Sequence, residues 1–172
     1  MPPSAGAVTT DMAIRLVLMG VEGSGKSTIG PRVASALVVP YFDADDYHSS
    51  AAIARMSAGI PLDDTERRPW LERLHELLAE HAGSGAVLAC SALKPSYRSL
   101  LAAGEADVRF VALVVPPDVL EARIAHRHGH YAGPDLLASQ LATFELDADV
   151  SVVDGNRPVD EVVAEVLDAL QR

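Results

Sequence analysis

An α/β fold built on a doubly wound parallel sheet is predicted by three observations on this chain of 172 residues. Short apolar runs alternate with helical patterns along its length. Pro117, Pro134 and Pro158 stand at or just before the first turns of predicted helices, where a missing N–H costs little. The first apolar run, residues 14–19, passes directly into the glycine-rich string GVEGSGKS at residues 20–27, which opens a helical pattern. Such alternation makes the strands parallel and places helices on both faces of the sheet.

The strands are expected at residues 14–19, 86–89, 109–115 and 150–153, each an apolar run of buried-strand length with turn residues nearby. Tyr41 and Phe42, ahead of a cluster of acids, give a fifth, shorter candidate. Helical patterns cover residues 26–37, 65–81, 95–102, 118–127, 134–145 and 159–170. Pro31 cannot donate to the Ser27 carbonyl, so a local distortion is expected one turn into the first helix. Ligands of such sheets bind beyond the carboxyl ends of the strands.

Composition narrows the function classes. A hydrophobic fraction of 49% with only 5% aromatic residues fits an Ala-, Val- and Leu-packed core. The net charge of −10 argues against nucleic acid or an anionic membrane as partner, so any anion site must be local. No apolar run approaches the ~18–20 residues that span a bilayer. The single Cys90 excludes an intrachain disulfide and suits a reducing compartment, so a cytoplasmic location is expected. Residues 1–12 are small and polar without a basic leader pattern and read as a flexible tail, leaving residues 13–172 as one domain.

The string at residues 20–27 matches a phosphate loop in full. Gly20, Gly23 and Gly25 let the backbone approach a polyphosphate, and Ser24 lies among them. Lys26 reaches the β- and γ-phosphates, Ser27 can ligate Mg²⁺, and Thr28 suits the α-phosphate. A strand that ends in this loop and opens a helix aims several N–H groups at one point, so the chain is expected to bind a nucleoside triphosphate.

Asp43, Asp45, Asp46 and His48 form a second cluster in YFDADDYH. If Phe42 ends a strand, Asp43 and Asp45 point the same way. One carboxylate can then hold Mg²⁺ through water while its neighbour accepts a proton from a hydroxyl substrate. A helix cap or a solvated acidic loop is the alternative. Lys94 is the second of only two lysines in a chain whose other basic residues are all Arg, and it follows a predicted strand in CSALKPSYR. Arg98 lies four residues on and shares a helix face with Lys94 if the helix begins early enough, giving two cations for a substrate carboxylate; a surface-loop lysine is the alternative. A third cluster, Arg123, His126, Arg127, His128 and His130, runs into a glycine-containing segment, as a lid over a phosphate would. A solvated basic helix end is the alternative. Trp70 reads as core, although its place after ERRP can bring it near a cleft.

LMGVEGSGKS, FDADDYH, RMSAGIPLDDTERRPWL, CSALKPSYR, HGHY and LLASQLATFE follow one another in the order and spacing of the small bacterial-type gluconate kinases, which the chain resembles over residues 16–145 and more weakly to its end. The resemblance implies a three-layer P-loop NTPase fold of the nucleoside-monophosphate-kinase type: a five-stranded parallel sheet flanked by helices, with a helical lid at about residues 123–140. It implies ATP-dependent phosphorylation of D-gluconate at the 6-hydroxyl with Mg²⁺, by a homodimer. On the matching residues it implies phosphate binding at Lys26 and Ser27, and metal binding at Ser27 and Asp43. Asp45 would act on the sugar hydroxyl, and Arg123 and Arg127 from the lid. His48, Arg55, Lys94, Arg98, His130 and Gln140 would be substrate contacts, with Asn156 and Pro158 under the adenine. The chain departs from the family in the loop HSSAAIARM and in HYAGP. A shikimate-type kinase shares the phosphate loop and paired aspartates but has a Gly-rich stretch where CSALK stands. A nucleotide-binding regulatory module would need neither Asp45 nor the lid arginines.

Overall fold

A computed structural model describes residues 13–105, 107–126 and 134–172. Five parallel strands, β1 (Arg15–Met19), β2 (Tyr41–Asp43), β3 (Ala86–Ala89), β4 (Val108–Val114) and β5 (Val150–Asp154), form one sheet in the order β2-β3-β1-β4-β5. The helices are α1 (Lys26–Leu37), α2 (Ser50–Ser57), α3 (Asp64–Glu80), α4 (Pro95–Leu101), α5 (Pro117–Ala125), α6 (Pro134–Thr143) and α7 (Val159–Ala169). A 3-10 turn, Ala44–Tyr47, follows β2. Because β1 is flanked by β3 on one side and β4 on the other, the loop leaving β1 lies at the centre of the sheet's carboxyl edge, where the strand order reverses.

The alternation of side chains along β1 divides the core. Leu16 and Leu18 join Val87, Val111, Leu113 and the inner faces of α1 and α7 in one apolar cluster. Val17 and Met19 join Leu88, Ala112 and the α3 residues Leu71, Leu74 and Leu78 in another. A third cluster beneath α5 and α6 holds Val21, Leu93, Leu120, Ile124 and Leu137. Strands buried on both faces read as continuous apolar runs, which is why β1, β3 and β4 stand out in the sequence.

All five expected strands occur, β3 at its expected bounds and the others with ends shifted by one residue. α1 runs as one helix through Pro31. Gly30, just before it, packs against the Tyr41 ring, where any Cβ would collide. The stretch expected as the loop HSSAAIARM is instead α2, capped by Ser49, whose hydroxyl accepts from the Ala52 N–H at 3.1 Å. None of its residues is fully buried; Ala52, Ile53 and Met56 form a half-buried apolar face at helical spacing.

Candidate active site

The phosphate loop is shaped for an anion by its backbone. Gly20 has φ 149°, and a Cβ there would lie 2.5 Å from Ser24 Oγ and 2.8 Å from the Leu113 carbonyl. Gly25 caps α1 in the left-handed region at φ 105°, with no side chain bonded to the helix N-terminus. The first N–H groups of α1 are therefore left to a ligand, and the buried Ser24 hydroxyl has no partner among the described residues. Lys26 is folded onto its own loop, donating from Nζ to the carbonyls of Gly20 at 2.8 Å and Val21 at 3.1 Å. Burial lowers its pKa, opposed by the nearby carboxylates of Glu22 and Asp45.

Gly23, Gly25, Lys26, Ser27, Asp43 and Asp45 line one pocket beside the ends of β1 and β3. Asp43 also caps the 3-10 turn, accepting from the Asp45 N–H at 3.0 Å, so the two carboxylates reach the pocket through a turn rather than by strand alternation. Asp46 does not line it. Ser27 and Asp43 offer one hydroxyl and one carboxylate. Among the described residues no group of three or more His, Cys, Asp or Glu could hold a metal unaided. That sparse oxygen set suits Mg²⁺, which keeps several waters and takes its remaining ligands from phosphate. Cys90, at the back of this pocket, has its thiol pushed up to about 12 by burial and stays protonated.

Asp45 and Ser91 also line a second pocket, with His48, Arg67, Trp70, Tyr97 and Gln140. Asp45 thus stands at the junction of the two. Its carboxyl is pushed up to about 6, first by desolvation and then by repulsion from Asp43, while Lys26 opposes the rise. Its side chain is 72% open to solvent at the mouth of the pocket, so water screens part of this effect. His48 stacks on Trp70 with ring centroids 4.2 Å apart, and the Trp70 indole N–H donates to the Ala44 carbonyl at 2.8 Å. Burial, with Arg67 and Arg73 nearby, lowers the His48 pKa to about 4. His48 is therefore neutral at pH 7, and its 3.9 Å approach to Asp45 is neither an ion pair nor a hydrogen bond.

Arg67 was not singled out from the sequence, yet it is the cation of this second pocket. It lies on the first turns of α3, which a reciprocal Asp63–Glu66 capping box anchors. Its Nη1 donates to the Tyr97 hydroxyl at 3.1 Å, and no carboxylate pairs with it among the described residues. The Tyr97 hydroxyl in turn donates to Asp64 at 2.5 Å, which also accepts from Lys94 at 3.2 Å. The available signal was the spacing of Arg67 and Trp70 in RRPW, three apart and so on one helical face.

Several expected contacts fall elsewhere. Lys94 precedes Pro95, which holds it extended at the N-cap of α4 (φ −105°, ψ 147°), so it shares no helix face with Arg98. It pairs with Asp64 and does not line the second pocket. Arg98 is buried, donating to the carbonyls of Ala92 at 2.7 Å and Glu145 at 2.8 Å and pairing with Asp147 at 3.2 Å. In this structure it braces these groups and does not line the second pocket. Ala92, which it holds, lies in the left-handed region at φ 46°, a strained conformation for a residue with a Cβ. Arg55, on α2, pairs with Glu66 at 3.2 Å and stays out of the pocket.

Arg123 donates to the carbonyls of Gly23 at 3.0 Å and Gly155 at 3.2 Å, behind the phosphate loop. It lines a third pocket with Ser24, Thr28, Gly155, Arg157 and Val159, not the one holding Asp45. In this structure its guanidinium thus sits behind the phosphate loop, away from Asp45. Asn156 and Pro158 do not line this third pocket. Their neighbours Gly155, Arg157 and Val159 do, a register shift within the expected segment, where Pro158 instead caps α7. Arg127 and His130 lie outside the described residues, as does most of the expected lid's connecting segment.

Comparison with known proteins agrees with this geometry. The shikimate kinase family model matches residues 22–171. A gluconokinase from Gluconobacter oxydans (strain 621H) is 41% identical over 157 residues, covering 88% of both chains. The crystal structure of a gluconokinase from Sinorhizobium meliloti 1021 superposes with a TM-score of 0.84 at 40% identity, covering 94% of this chain and 93% of that one. That of a sugar kinase from Janibacter sp. HTCC2649, unliganded, gives 0.86 at 40% identity, covering 92% and 95%. With its phosphate loop, the paired Asp43 and Asp45 and the adjoining cation-bearing pocket, the chain belongs to the shikimate kinase family and, within it, to the gluconokinases.

Proposed function

We propose that the protein transfers the γ-phosphoryl group of ATP to the 6-hydroxyl of D-gluconate, giving 6-phospho-D-gluconate and ADP. The observation that carries this reading is Asp45, set between a phosphate-shaped pocket and a pocket that holds Arg67 and donor-rich polar groups. The phosphate loop receives the polyphosphate, with Lys26 moving from the Gly20 and Val21 carbonyls to phosphate oxygens. Mg²⁺, held by Ser27 and through water by Asp43, would neutralise charge on the phosphate oxygens. Arg123, held by two carbonyls, presents its guanidinium to the third pocket, where a purine base would lie against it.

In the second pocket, Arg67 is suited to the gluconate carboxylate, and the neutral His48 and Gln140 to its hydroxyls. Asp45 accepts the proton of the 6-hydroxyl as its oxygen bonds to phosphorus and the bond to the ADP oxygen breaks. No helix among the described residues is long and apolar enough to cross a membrane. A cytoplasmic location is part of this proposal, supported by the free thiol of Cys90, and so is a homodimer, which the resemblance implies.

The test is a coupled ADP-release assay with Mg²⁺-ATP, comparing D-gluconate, shikimate, glycerate and no acceptor. Turnover with gluconate far above the others is the expected result. Turnover with shikimate instead, or none that depends on an acceptor, would refute the reading.

A further inference from the structure

The phosphate loop and the acceptor pocket share one side-chain amide. Glu22, third in the loop, donates its backbone N–H to Oε1 of Gln140 at 2.7 Å, across 118 residues of sequence. Glu22 lines the phosphate pocket, and Gln140 lines the acceptor pocket. The contact rests on firm packing. Leu137, one turn before Gln140 on α6, is buried in the same apolar cluster as Val21, the loop residue next to Glu22.

The chemistry of the contact fixes the orientation of the amide. An N–H partner requires the oxygen to face the loop, so Nε2 faces away from it. Gln140 makes no other hydrogen bond among the described residues, which leaves both Nε2–H donors to a molecule in the acceptor pocket. The loop at the other end of this amide is held mostly by its own groups, since Lys26 is turned back onto the Gly20 and Val21 carbonyls.

We infer that Gln140 is a positioning residue that couples the two pockets. An acceptor oxygen bound at Nε2 immobilises the side chain, and the immobilised Oε1 fixes the Glu22 N–H and the loop conformation that receives the polyphosphate. Coupling of this kind is reciprocal: acceptor tightens nucleotide by the same factor as nucleotide tightens acceptor. The inference rests on gluconate being the acceptor, and its test separates the two claims.

The affinity of a non-hydrolysable ATP analogue with Mg²⁺ is measured by calorimetry, with and without saturating D-gluconate, for the wild type, Gln140→Leu and Gln140→Glu. The glutamate variant is close in shape and keeps an oxygen for the Glu22 N–H while losing the Nε2 donors, so it remains informative if the leucine variant folds poorly. Gluconate is expected to tighten the analogue by about five-fold or more in the wild type, within the range usual for coupled sites, and by a factor near one in both variants. Wild-type coupling retained in either folded variant overturns the inference, and so does a wild type that turns over gluconate but binds the analogue equally with and without it. A wild type that turns over no gluconate refutes the substrate reading instead.

Discussion

The Trp70 indole N–H donates to the Ala44 carbonyl at 2.8 Å, tying α3 to the 3-10 turn that carries Asp45. The same indole stacks under His48, so one side chain supports both the turn that carries Asp45 and a wall of the second pocket. Trp70→Phe keeps a ring for the stack and removes the indole donor from the Ala44 carbonyl, which the 3-10 turn still pairs, at a cost of about 1 kcal/mol. The expected result is a fall in Tm of about 2–4 °C per kcal/mol, together with a reduced kcat, checked by thermal unfolding and steady-state kinetics.

Arg67 is the cation assigned to the acceptor's carboxylate. Arg67→Met keeps much of the side chain's length and loses the charge. A hydrogen bond to a charged group contributes about 1.5–3 kcal/mol, so the gluconate KM should rise roughly 10- to 100-fold with a smaller change in the ATP KM. An unchanged gluconate KM would remove Arg67 from the site.

Arg98 gives the opposite expectation. Arg98→Met leaves the carbonyls of Ala92 and Glu145 without their donor and Asp147 without its cation. The loss should be about 3 kcal/mol of stability, read by chemical denaturation, with a change in gluconate KM well below that of Arg67→Met.

These two arginines show how much of the site was legible in the sequence. The phosphate loop, the acidic turn and the buried strands carry local signals, a fixed spacing or an unbroken apolar run, and each was readable. Arg98 braces Glu145 and Asp147, 47 and 49 residues away, a contact that no local spacing announces. Arg67 was passed over because its role depends on Tyr97, 30 residues away. α2 spans only eight residues, too few for its apolar spacing of Ile53 and Met56 to stand out from a loop. Arg123 rests on the carbonyls of Gly23 and Gly155, 100 and 32 residues away, a position that no local spacing announces.

The raised carboxyl of Asp45 sets a pH dependence. A base must be ionised, so kcat/KM should be flat at neutral pH and fall as pH drops through the Asp45 pKa, with the acid limb at or below pH 6 because solvent screens part of the shift. The sign for stability is reversed. A carboxyl whose folded pKa is raised favours the fold when protonated, so its contribution is present below the ordinary carboxylate range and is lost as pH rises through about 6. Asp45→Asn should therefore unfold at an equal or higher temperature than the wild type at pH 8.

The most direct test of Asp45 as the group that accepts the hydroxyl proton is the steady-state kinetics of Asp45→Asn with saturating Mg²⁺-ATP across a range of gluconate concentrations. Proton acceptance by Asp45 requires a fall in kcat of about 10²- to 10⁴-fold with the gluconate KM changed only a few-fold, since the amide keeps the shape of the carboxylate and loses its basicity. A kcat within a few-fold of the wild type, with the effect confined to KM, would make Asp45 a binding group and leave the hydroxyl proton to another acceptor.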